Sequence, residues 1–113
     1  MKKIIEIAEK LGWKVDVHEN DINFSIYSPK GQDFNVNIDY DNELKGDDLR
    51  VDVREKLYEF YESYDPYEEA SFWIGCDGHG KNGAPYHLKD LINDMEWCEE
   101  AILKLYSEIA VLY

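Results

Sequence analysis

Cationic residues are scarce in this sequence: 12 Lys and Arg stand against 25 Asp and Glu, a formal net charge of −13 at neutral pH. Contact with phosphates needs clustered Lys and Arg, so the deficit argues against DNA, RNA or an anionic membrane as direct ligands and makes a basic protein the natural partner. Cysteine is scarce as well. Cys76 and Cys98 are too few and too differently placed for a disulfide framework, and no secretory apolar stretch precedes them, so a reduced, cytoplasmic setting is expected. Long apolar runs are absent. The opening MKKIIEIAEKLG is broken by Glu6, Glu9 and Lys10, and no run approaches the roughly 18 apolar residues that span a bilayer. Internal repeats, low-complexity tracts and linkers are lacking too, which leaves residues 1–113 as one domain.

What is present can fold. A hydrophobic fraction of 44% with sixteen aromatics is too rich for a disordered chain, so the charge coats a body with a core. Ile4, Ile5, Ala8 and Leu11 repeat at helical spacing, and Gly12 stops that first helix. The period then changes to two. Trp13, Val15 and Val17 alternate with Lys14, Asp16 and His18, and Ile22, Phe24 and Ile26 alternate with Asn23, Ser25 and Tyr27. Ser28-Pro29-Lys30-Gly31 is a turn, followed by a third strand with Phe34, Val36, Ile38 and Tyr40 on its inward side. Together these predict a three-stranded antiparallel meander with one wet face, whose other face two or three helices must cover: an α+β fold.

The first covering helix spans Asp47 to Tyr64. At about 100° per residue, Leu49, Val53, Leu57, Phe60 and Tyr64 fall within an arc of about 80°. Asp48, Asp52, Glu55, Glu59 and Glu62 fall within a second arc nearly opposite, a ridge about 21 Å long at a rise of about 1.5 Å per residue. Asp65-Pro66-Tyr67-Glu68 then reads as a fresh helix start, with Asp65 as the cap and Glu68 placed to complete a capping box. A short helix would carry Ala70, Phe72, Trp73 and Ile74 inward, although Ser71 to Cys76 fits a strand equally well. Gly75 to Pro85 is a loop with four glycines. From Pro85 on, Leu88, Leu91, Met95, Cys98, Ile102, Leu105, Ile109 and Leu112 recur in threes and fours, the seam of a long helix that serves as core spine. Such a seam can also join two copies, so a monomer or a homodimer is compatible with it.

Candidate chemistry gathers in the glycine-rich loop, where Cys76, Asp77, His79, Lys81 and Asn82 precede His87. Cys76 and His79 have the spacing of two zinc ligands, but no second pair accompanies them and Cys98 belongs to the seam, so no metal or other cofactor is expected. Gly78-His79-Gly80-Lys81 lacks the earlier Gly and the following Ser or Thr of a phosphate loop. A Cys76 nucleophile with His79 as base would need a geometry that a glycine-rich loop does not hold. His18 falls on the polar side of a strand. Acids here line solvent faces instead of apolar pockets, which gives no sign of catalysis.

Acidity is therefore the informative feature. Between Asp39 and Glu69, twelve Asp or Glu face four Lys or Arg, a local balance of −8 in 31 residues. Carboxylates about 5 to 6 Å apart along a rod approximate the roughly 6 to 7 Å between phosphates of one DNA strand. Tyr58, Tyr61, Tyr64, Tyr67 and Tyr86 would add aromatic contact area. In size, acidity and the clustered acid from Asp39 to Glu69, the chain resembles the DNA-mimicking inhibitors that phages and mobile elements use against restriction or CRISPR nucleases. The segment DGHGKNGAPYHLKDLI resembles proteins carried on bacterial mobile elements. The expectation is a non-enzymatic inhibitor that occupies the basic groove of a nuclease through Asp48, Asp52, Glu55, Glu59 and Glu62, with Tyr58 and Tyr61. An immunity or antitoxin protein for a basic toxin, or a small metal or thiol protein centred on Cys76 and His79, are the alternatives.

Overall fold

The computed structural model describes residues 1–69 and 88–111, and the apolar periods of the sequence set every element in them. Helix α1 runs Lys2–Lys10 and buries Ile4 and Ala8. It stops where Gly12 takes φ +101°, a left-handed conformation that a side chain resists. The Gly12 N–H donates to the Glu9 carbonyl at 3.0 Å and the Trp13 N–H to the Ala8 carbonyl at 2.9 Å. That reversal turns Trp13 inward, edge-on to Phe24 at 6.3 Å and tilted against Phe34 at 6.2 Å.

Strands β1 (Lys14–Val17), β2 (Asp21–Tyr27) and β3 (Asp33–Asp39) form an antiparallel sheet in sequence order. Their register aligns Val15, Phe24 and Val36 in one row and Val17, Ile22 and Ile38 in the next, all on the face toward the helices. Ile22, Phe24 and Val36 have no solvent exposure. The opposite face is polar: Asn23 donates to Asn35 at 3.1 Å, and Asn37 to Asp21 at 2.8 Å. The predicted turn closes the second hairpin, with the Gly31 N–H donating to the Ser28 carbonyl at 2.9 Å.

Helix α2 (Gly46–Ser63) lays Leu49, Val53 and Leu57 against β3 and against helix α3 (Leu88–Ala110). Leu91, Met95, Cys98, Ile102, Leu105 and Ile109 of the predicted seam are buried within the chain itself. The three helices and the inner sheet face thus share one apolar cluster, the expected α+β arrangement. A helical turn at residues 66–69 follows α2, and Asp65 caps it by accepting the Tyr67 N–H at 3.0 Å. The alternatives of helix or strand for Ser71 to Cys76, and the Gly75 to Pro85 loop, lie outside the described residues.

One buried polar contact had no counterpart in the sequence pattern. Asp94, on the inward side of α3, accepts the Ser28 hydroxyl at 2.5 Å and the Lys30 N–H at 3.1 Å. The same hydroxyl oxygen accepts the Gln32 N–H at 2.9 Å. The β2–β3 turn is thereby fastened to α3. Asp94→Ala leaves the Ser28 hydroxyl and the Lys30 N–H short of an acceptor, and is expected to cost about 1–3 kcal/mol. Phe24→Ala, at the centre of the cluster, should cost about 3–5 kcal/mol. Urea denaturation of both variants measures the two losses.

Candidate functional site

The acid of α2 begins with Asp47 and Asp48 in its first turn, where the partial positive charge of a helix N-terminus favours carboxylates. Beyond that turn the acids follow from amphipathicity alone. Burying Leu49, Val53 and Leu57 forces the opposite side of the helix into water. Asp48, Glu55, Glu59 and Glu62 are all exposed. Among the described residues none of these four has a Lys or Arg within ion-pair distance; the ion pairs of α2 join Asp47 to Arg50 and Asp52 to Lys56.

Asp52 departs from the expected ridge of five. Its side chain is only 17% exposed, and it is occupied twice: Oδ2 accepts the Asp41 N–H at 2.9 Å and Oδ1 accepts Lys56 Nζ at 3.0 Å. Burial pushes its pKa up, but the Asp41 N–H and the Lys56 ammonium outweigh that and hold it below the ordinary value. The connector from β3 to α2 folds back over this part of the helix, so Asp52 serves as a fastener. The ridge is a line of four with a gap. The hydrogen bond to Asp52 is also the main reason the Lys56 pKa is raised, with Glu59 and Asp39 adding to it.

The tyrosines divide. Tyr58 is 44% exposed, its ring held at 5.3 Å from that of Tyr106 and its hydroxyl beside Glu62, whose hydrogen bond raises the tyrosine pKa. Tyr67 is exposed too. Tyr61 is half-buried against the core. Tyr64 is withdrawn altogether: its hydroxyl donates to the Met95 carbonyl at 3.3 Å and burial pushes its pKa up. At 8% exposed it adds no contact surface to the acid line, contrary to expectation. Tyr86 lies outside the described residues.

Further acids escaped the sequence reading of the site. The wet face of the sheet carries Asp16, Asp33 and Asp39, all exposed, with Asp21 half-buried among them, so the sheet carries exposed acid as well as the helix. Their signal was the alternation DFNVNID itself, which fixes the sheet face of every second residue. The candidate chemistry at Cys76, Asp77, His79, Lys81, Asn82 and His87 falls outside the described residues. Among the described residues no three of His, Cys, Asp and Glu converge as metal ligands, and no helix is long and apolar enough to cross a membrane. Burial pushes the Cys98 thiol up to about 12, with Asp94 and Glu69 adding to the shift, so it stays protonated at neutral pH.

Two outcomes are expected in solution. In a Cys76→Ser background, Cys98 should stay unreactive toward a colorimetric thiol reagent until denaturant is added; rapid labelling of the native protein would contradict its burial. The second concerns pH. Burial raises the carboxyl pKa values of Glu69 and Glu99, and neighbouring glutamates add to both. As pH falls from neutral, the folded chain takes up these protons before the unfolded chain does, so stability rises. Lower still, protonating Asp52 removes its hold on Asp41 and Lys56, and stability falls again. The thermal midpoint should therefore peak at mildly acidic pH, and Asp52→Asn should flatten the acid limb. A midpoint that climbs steadily from about pH 5 to about pH 8 would contradict this assignment.

Compared with models of known protein families, with curated proteins and with solved structures, the chain matches none, so its site is read from its own geometry and charge.

Proposed function

We propose that this chain is a non-enzymatic acidic binding protein that occupies the basic groove of a nuclease or another nucleic-acid-binding protein and keeps the nucleic acid out. The observation that carries the reading is the line of Asp48, Glu55, Glu59 and Glu62 along α2, exposed and without a basic partner among the described residues. Beyond Asp48, which the helix N-terminus favours, such a line does nothing for the helix itself, since like charges at helical spacing repel by a few tenths of a kcal/mol per pair. Its use lies in what it attracts. Glu59 is a helical neighbour of both Glu55 and Glu62, at the spacing of about 5 to 6 Å between Cβ atoms, near the roughly 6 to 7 Å step between phosphates of one strand. A groove that holds a polynucleotide backbone by Lys and Arg meets these carboxylates at a comparable interval. Tyr58, held in place by Tyr106, adds a ring at the margin of the line.

Anions in this density also speed encounter with a cationic cleft and discourage self-association. The test is competition. The protein is titrated against a panel of purified basic nucleases and DNA-binding domains preloaded with labelled duplex DNA, from about 50 to about 300 mM salt. Displacement of DNA is expected, weakening steeply as salt rises. The Glu55→Lys/Glu62→Lys variant should need about tenfold more protein for the same displacement. Binding that leaves the DNA in place, or equal potency of variant and parent, would sink the proposal.

A further inference from the structure

Among the described residues, strand β3 has a neighbouring strand on one side only, and its other side is open. At the two ends of the β2–β3 ladder the Ser28 N–H donates to the Gln32 carbonyl and the Tyr40 N–H to the Asn20 carbonyl. Antiparallel alternation between those ends turns the main-chain groups of Phe34, Val36 and Ile38 toward β2, and those of Asp33, Asn35, Asn37 and Asp39 away from it. Among the described residues, the one outward group with a partner is the Asp33 carbonyl, which accepts Asn35 Nδ2 at 3.3 Å. The other edge differs: β1 is four residues long, and the N–H of Trp13 just before it is taken by the Ala8 carbonyl of α1.

A groove runs beside the open edge. One end is a hollow of about 300 Å³ among Phe34, Phe60, Tyr64 and Met95, rimmed by Asp33 and Glu69. The other, about 310 Å³, lies between Asn37 and Asp39 of β3 and Glu59 and Ser63 of α2. Phe60 lines both. The cation among these residues is Lys56, whose charge is already met by Asp52 at 3.0 Å. The groove thus offers main-chain donors and acceptors along its length, an apolar floor at one end and carboxylates at both.

We propose that this groove takes an extended basic segment of a partner protein, which adds to β3 as a fourth strand. Main-chain hydrogen bonds to Asn35 and Asn37 supply the attachment, as in other strand-addition complexes. Side chains alternate across the added strand: apolar ones lie over Phe34 and Phe60, and Lys or Arg on the wet face meet Asp33 and Asp39. A second copy of this chain is the wrong occupant, because pairing β3 with itself would set rows of carboxylates against each other. The inference does not rest on polynucleotide mimicry by α2.

The probe is a labelled peptide of about eight residues that alternates Lys and Val, long enough to pair along β3. It should bind at low salt, and in NMR spectra the amides of Asn35, Asn37 and Asp39 should shift and gain protection from hydrogen exchange. Asn37→Pro removes an outward N–H without touching the β2 ladder and should weaken binding about tenfold, whereas Asn37→Ala, which keeps that N–H, should change it by less than about twofold. The same peptide N-methylated at alternate residues tests the point on the unaltered chain and should lose binding. The Glu55→Lys/Glu62→Lys variant, whose changes lie off the groove, should bind the peptide as the parent does, which separates this result from the competition with DNA. No binding at low salt, undiminished binding of the N-methylated peptide, or a bound state that leaves the Asn35 and Asn37 amides unmoved would overturn the proposal.

Discussion

Burial of one apolar cluster holds this chain together against a surface charge that works to expand it. Ile22, Phe24 and Val36 of the sheet meet Leu57 of α2 and Leu91, Ile102 and Leu105 of α3 with no solvent exposure at any of the seven. Each such side chain contributes roughly 1.5–3 kcal/mol by leaving water, whereas exposed like charges at helical spacing oppose one another by tenths of a kcal/mol. The inequality explains how a chain with net charge −13 remains folded with two ion pairs among its described residues. It also explains where most of the acid goes: every element that buries one side must show the other, and apart from Asp52 and Asp94 the carboxylates of α2 and α3 lie on shown sides or at their margins.

The elements were legible because the apolar periods are clean. A period of two from Trp13 to Tyr40 identified the meander, and the threes and fours from Leu91 to Ile109 identified the spine, since each pattern fits only one backbone geometry. The α2 face was legible for the same reason. What periodicity does not encode is where one element lies relative to another. Asp52 has the same helical position as its exposed neighbours, and only the path of the connector at Asp41 makes it a fastener. Asp94 sits beside the seam as a charge that pattern alone would assign to solvent, and the turn that satisfies it lies 66 residues earlier. Strand order likewise decides that β3 is the outer strand among the described residues, and no local feature of DFNVNID announces it.

Seen together, the acidic helix face and the open strand edge are two sides of one region, with Lys56 between them. Its ammonium is held by Asp52 and feels both Glu59 on the helix and Asp39 on the strand. This cation interrupts the two acidic surfaces where they meet, and it does so from a position partly covered by its neighbours. The two surfaces differ in what they present: the helix presents charge without main-chain donors, whereas the strand presents donors and acceptors with charge at either end.

The contact between Ser28 and Asp94 reaches beyond stability to the order in which the molecule is made. A ribosome produces the sheet and α2 well before α3, so the turn waits for an acceptor that does not yet exist, and the inner face of Phe24 and Ile22 waits with it. Contacts so distant along the chain slow folding, because the intervening segment must be gathered before they form. During synthesis the acid already displayed on the emerging strands and on α2 sets like charge against like charge between neighbouring chains while their apolar faces are still bare.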